Sequence, residues 1–275
     1  MTAAETTAQV VSLAPADLAI AALLLAVNGA LSLKLKLGVT RSLAIAATRM
    51  IVQLTILGMV LRYLFAIKSL WLTLGVVAIM IGFAGYEVMS RQDRKLKGLW
   101  SYGIGVSTMT FAAVTVTLLA LATQIKPDPW YDPRYAVPIL GMMLGNAMTG
   151  ISLGLNNLFN AVTRERWAVE AQIALGETRD VALKPFIRRA LKTALMPTIN
   201  SMAATGIVSL PGMMTGQILA GADPAEAVKY QLLVMFLICG ATCIGAVTAI
   251  YGAVFRLTDP RHRLRLDRIA EAEKS

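Results

Sequence analysis

Arg49 and Gln53 stand one helical turn apart inside an otherwise apolar run. A charge at membrane depth costs about 2.5–3.5 kcal/mol unless it meets water or a partner. Arg49 is therefore either half of an ion pair or a group on a solute pathway, and Glu87 lies at the matching depth of the next apolar run. A second set is the run Ser209-Leu210-Pro211-Gly212-Met213-Met214. Proline lacks an amide and clashes with the preceding turn, and the glycine after it loosens the backbone further. The run predicts a broken helix whose freed carbonyls are buried in protein or line a wet cavity. Transporters often bind their cargo at such breaks, which makes Ser209, Pro211, Gly212, Met213 and Met214 pathway candidates, together with the in-membrane amides Asn146 and Asn200. The pairs Met142-Met143 and Met213-Met214 offer thioethers that would suit a soft metal, although methionine also fills irregular gaps. No set of metal ligands follows from the sequence.

Other chemistry is missing. The sequence holds no G-x-x-x-x-G-K-[ST] loop to cradle a nucleotide. His262 is the only histidine and lies in the basic C-terminal stretch, which leaves no Ser/His/Asp constellation. Cys239 and Cys243 fall on one face of an apolar helix, and two thiols alone do not make a metal site; packing is the expected role. The chain is expected to be no enzyme and to bind no cofactor. Any ATP would be hydrolysed by a partner subunit.

The elements that must position these groups are membrane spans. Of 275 residues, 56% are hydrophobic and only 15% charged, against about a quarter charged in soluble domains. About 20 apolar residues cross the hydrocarbon core. Seven runs qualify: 18–37, 42–61, 69–89, 99–123, 136–159, 193–221 and 231–255. The expected fold is an all-α polytopic membrane protein of about seven transmembrane helices, forming a single permease domain over residues 1–275. A cytoplasmic coupling segment (163–192) joins helices five and six, and a basic cytoplasmic tail (256–275), frayed at its end, closes the chain. No cleavable signal peptide is expected. With the N-terminus outside, twenty Lys and Arg fall on the inner side and five on the outer. The positive-inside rule favours that orientation, with the C-terminus in the cytoplasm, Trp130 and Tyr131 outside and Trp167 inside. The net charge of +10 is thereby explained by topology, and nucleic acid is not an expected partner.

In the coupling segment, Gly176 suits a left-handed helix end. Thr178 would cap a second short helix carrying Asp180 in its first turn. Pro185 would then open the helix leading into span six. The stretch Glu170-Ala171-Gln172-Ile173-Ala174-Leu175-Gly176 resembles the E-A-A-x-x-x-G motif of ABC importer permeases, in which a short helix sits in a groove of the ATPase. That likeness casts Glu170, Ala171 and Gly176 as ATPase-coupling residues. The same segment also reads as an amphipathic helix on the membrane surface.

Three stretches, PILGMMLGNAMTGISLGLNNL (138–158), 170–176 and 187–231 with its GIVSLPGMMTGQILAG and DPAEAVKYQ, resemble the FetB family of ABC permeases. The resemblance implies a permease paired with a separate ATP-binding subunit in the inner (plasma) membrane. It implies export of iron in bacterial members and a tie to aluminium tolerance in plant ones, where a nucleotide sugar is a proposed cargo. The expected function is thus the membrane-spanning subunit of an ATP-driven exporter of iron, another metal ion or its complex. The expected partners are the ATP-binding subunit, a second permease copy and membrane lipid. An ion-coupled secondary transporter is the main alternative, followed by a non-transporting membrane scaffold. A membrane enzyme would need a catalytic cluster that the sequence lacks.

Overall fold

The computed structural model describes residues 14–259 and 261–270. Nine helices are present among them: α1 (Pro15–Lys34), α2 (Thr40–Ile67), α3 (Leu70–Ser90), α4 (Trp100–Ile125), α5 (Pro133–Arg164), α6 (Arg166–Ala174), α7 (Arg179–Ala204), α8 (Gly212–Leu219) and α9 (Pro224–Leu257). Beyond them lie only isolated bridges and one short 3-10 turn. Helix α4 is continuous but loosens into π turns at Thr110–Val114 and Leu121–Ile125. Two long helices start at Asp-Pro steps. Asp132 accepts from the amide of Arg134, and Asp223 from those of Ala225 and Glu226. In each case proline takes a first-turn position whose missing amide costs nothing.

Six helices are long and apolar enough to cross a membrane: α1, α2, α3, α4, α5 and α9. One of the seven expected spans, 193–221, is not a single helix of membrane length. Its first part is the end of α7, its last part is α8, and residues 205–211 between them are not helical. Freedom from charge signals burial in lipid or protein; it does not signal an unbroken hydrogen-bond ladder. A second correction concerns Pro185, which lies inside α7 and opens no helix. The helix starts at Arg179 and runs through both Pro185 and Pro197, because Leu183, Phe186, Ile187, Ala190 and Ala194 pin it into the core.

The core is the three-helix contact of α5, α7 and α9, with α3 and α4 against its flank. Lipid tails are as apolar as leucine, so close fit drives helix association in a bilayer more than removal of surface from water. Small residues make that fit. A Cβ on Gly154 would lie 3.0 Å from the Ala194 side chain and 3.1 Å from Ile250. By contrast, α1 and α2 bury only Ser32 and Leu64 among their described side chains and leave the rest of their apolar surface open.

One end of the bundle gathers most of the cations. There the C-terminal segment folds back: the Lys97 amide donates to the Arg268 carbonyl at 2.8 Å and the Ala270 amide to that of Lys95 at 2.7 Å. Leu96 and Ile269 are buried beneath this pairing. Asp259 organises the turn by accepting from the Arg261 and Arg263 amides and from the Arg263 guanidinium. The Arg263 amide foremost, with its guanidinium, holds the Asp259 carboxyl below the usual aspartate range. The expected basic tail is therefore a folded strap as far as Ala270; the end expected to fray, 271–275, lies outside the described residues.

Candidate translocation site

Six of the nine pathway residues singled out from the sequence fall into two separate cavities, both lined by α5. Arg49 of α2 forms an ion pair with Glu87 of α3. The second oxygen of Glu87 accepts from Arg91 at 3.4 Å. Gln53 joins these three on the wall of an open cavity of about 510 Å³, whose apolar lining includes Met50, Met80 and Met148. Gly141 and Gly145 face this cavity. A Cβ on Gly145 would meet nothing within 4 Å, whereas one on Gly141 would lie 3.3 Å from the end of the Met80 side chain.

The other cavity, about 230 Å³, lies at the break between α7 and α8. Helix α7 ends at Ala204, Gly206 turns the chain at φ +91, and its amide donates to the Ser209 carbonyl at 2.9 Å. Pro211 then caps α8 and Gly212 opens it. The expected break exists, but its left-handed pivot is Gly206; Gly212 is an ordinary helical residue. Pro211, Gly212, Met213 and Asn146 line the chamber. The Asn146 side-chain amide donates to the Met142 carbonyl at 2.9 Å. Ser209, Met214 and Asn200 lie outside the lining, and Asn200 and Ser209 are exposed.

Six lining residues were missed from the sequence: Thr198, Ser201, Gln231, Val234, Met235 and Ile238. Gln231 is 6% exposed and its carbonyl oxygen has no hydrogen-bond partner. It stood at the edge of the expected span 231–255, whereas α9 begins seven residues earlier at Pro224. The available signal was the Asp223-Pro224 step, which moves the helix start back and places Gln231 two turns inside. The chamber thus offers amide, hydroxyl and thioether groups without a carboxylate. No cluster of three or more His, Cys, Asp or Glu is found among the described residues. Cys243 is exposed and Cys239 partly so, both as free thiols.

At the basic end, α6 and the start of α7 form an elbow within the expected coupling segment. The Glu177 amide donates to the Gln172 carbonyl and the Gly176 amide to that of Ile173, and Gly176 sits at φ +96. This is a helix end of the glycine type. Val169 is buried and anchors α6 from below. Glu170 and Ala171 are exposed, as are Trp167 (67%) and Leu175 (86%). Glu165 ties the α5–α6 corner to Arg189 of α7 at 2.9 Å. Thr178 makes no side-chain cap; the Arg179 amide instead donates to Nδ1 of His262, at 3.4 Å. His262 is thus part of the strap's contact with α7. At the opposite end, Lys68 reaches Asp132 at 3.1 Å and joins the α2–α3 turn to the α4–α5 loop. Burial pushes the Asp132 carboxyl up, but the Arg134 amide and the Lys68 ammonium outweigh it, and the group titrates below the ordinary aspartate range.

Six membrane-length helices, with no strand among the described residues, define a polytopic all-α membrane protein. The chain belongs to the uncharacterised protein family UPF0014, whose model matches residues 15–257. It is 36% identical to UPF0014 membrane protein slr1647 of Synechocystis, over 82% of this chain and 86% of that one. It is 34% identical to the probable iron export permease protein FetB of Escherichia coli, over 90% and 93%. Identity to the protein ALUMINUM SENSITIVE 3 of Arabidopsis thaliana is 34%, over 75% and 73%. The family resemblance read from the sequence is thereby borne out. No solved structure matches the chain.

Proposed function

We propose that the chain is the permease subunit of an ABC-type exporter, driven by a separate ATP-binding subunit and carrying iron, another metal ion or its complex. The observation that carries this reading is the elbow. A short helix anchored by Val169 presents Trp167 and Leu175 to solvent beside Glu170, and a left-handed glycine sets its exit. Exposed large apolar side chains on a fixed polar corner suit a protein partner. The name of the bacterial relative supports the cargo. The basic end is cytoplasmic on this reading, the α7–α8 unit makes the seventh crossing, and the chamber at its break is the cargo site. Arg49 has a half-exposed side chain beside an open cavity, and a second permease copy would cover it. Co-expression with candidate ATP-binding subunits tests the reading. A stable complex whose ATPase responds to metal is expected. Metal export that follows an ion gradient and needs no ATPase would overturn it in favour of a secondary transporter.

A further inference from the structure

A groove of about 770 Å³ lies at the basic end between α4 and the end of α9, away from both cavities described above. Its rim carries Lys97, Leu99 and Arg256, and its floor is formed by Gly103 and Ile104. The Arg256 guanidinium lies 4.3 Å from the centre of the Trp100 ring. Neither Lys97 nor Arg256 forms an ion pair among the described residues. The floor is open because residue 103 is glycine: a Cβ there would meet nothing within 4 Å. At the rim Leu99 is 82% exposed.

Two unpaired cations over an apolar channel match an amphiphile whose head is an anion. A tryptophan at the helix ends marks the level where headgroups sit, and basic pockets between transmembrane helices are suited to anionic headgroups. We propose that this groove binds an anionic phospholipid. Its phosphodiester sits between Lys97 and Arg256, and an acyl chain lies along Gly103 and Ile104. Trp100 fixes the guanidinium by stacking and so presents its N–H groups to the phosphate. A free phosphate would engage the rim and leave the apolar floor unused, which argues for the lipid. The inference does not depend on the transport reading.

The test is made on the purified full chain in mixed micelles containing phosphatidylglycerol or phosphatidylcholine. Bound lipid is read by native mass spectrometry, and stability by the melting temperature. The wild type is expected to retain phosphatidylglycerol preferentially and to melt higher with it. Each cation contributes about fivefold to that preference, so Lys97→Gln with Arg256→Gln should reduce it by more than tenfold. Arg256→Lys keeps the charge and should keep most of the preference, which separates headgroup binding from a folding defect. Gly103→Leu fills the floor and should lower retention of either lipid. Undiminished preference in the double variant would overturn the proposal. So would full competition by inorganic phosphate, which would make the rim an anion site only. A Gly103→Leu variant that dissociates a dimer while retaining lipid would make the groove a contact between copies, and would overturn it as well.

Discussion

Gly150 of α5 and Ala194 of α7 approach so closely that a Cβ on Gly150 would lie 2.7 Å from the Ala194 carbonyl oxygen, and 2.7 Å from the Thr242 side chain of α9. A backbone oxygen cannot rotate away, so all three helices would have to move apart. Gly150→Ala is expected to destabilise the bundle by about 1–3 kcal/mol, the usual cost of overpacking. Gly145→Ala, in the neighbouring small-residue pair, meets open space and should leave the melting temperature unchanged. Equal melting of the two variants in detergent would refute this account of the core.

Arg49 and Glu87 give the second prediction. Glu87→Gln leaves a guanidinium without its carboxylate in an apolar stretch. Fully buried pairs cost about 3–5 kcal/mol to break; the Arg49 side chain is 45% exposed, so about 1–2 kcal/mol is expected. The swapped pair Arg49→Glu with Glu87→Arg should recover most of that loss. A swap no better than the single variant would show that position-specific contacts outweigh the pairing.

Asp132 and Lys68 make a link that acid should release. The folded Asp132 titrates below its unfolded value of about 3.9. Its stabilisation is therefore complete above that value and is lost as pH falls through the lower folded pKa. Melting measured from pH 6 downward should decline more steeply in the wild type than in Asp132→Asn, which also loses part of the α5 cap. Parallel declines would remove Asp132 as the cause.

The spans were legible because lipid demands long apolar helices, and α3 was read to within a residue at each end. The pair Arg49–Glu87 was legible for the same reason: an in-membrane charge needs a partner. The site at the break was legible only in part. Proline and glycine at 211–212 pointed to the right neighbourhood, but the pivot is Gly206, whose left-handed conformation depends on the hydrogen bond closed by Ser209. Gln231 was missed because an apolar window measures average hydropathy and trims polar residues at its edge. The strap over Leu96 involves partners about 170 residues apart in sequence, which no local pattern encodes.

The elbow prediction rests on Gly176. Valine at φ +96 meets a steric penalty of about 1–2 kcal/mol, and the exit of α6 would be re-aimed. Gly176→Val should still insert and fold, yet lose the ATP-binding subunit on co-purification. Trp167→Ala should weaken the same complex without backbone strain. Normal ATPase stimulation in both variants would exclude the elbow as the docking site.

The last prediction concerns the chamber at the α7–α8 break. Seven residues, 205–211, separate the helices, so Pro211→Ala with Gly212→Ala should not rejoin them; the pivot at Gly206 remains. Gly206→Ala instead strains a left-handed position and should displace the turn. Gln231→Leu is nearly isosteric and removes an unpartnered carbonyl oxygen from a buried position. Relief of that orphaned group should leave stability equal or higher, while metal export falls at least severalfold and the ATPase complex persists. The methionines separate by position: Met213 borders the chamber and Met214 does not. Met213→Leu keeps volume but removes a thioether, and should lower export of a soft metal. Met214→Leu should be silent. Export rates in vesicles, measured beside melting temperatures, distinguish loss of the site from loss of fold. If Gln231→Leu and Met213→Leu both export at the wild-type rate, the chamber is a packing void and the pathway runs along the Arg49 cavity instead.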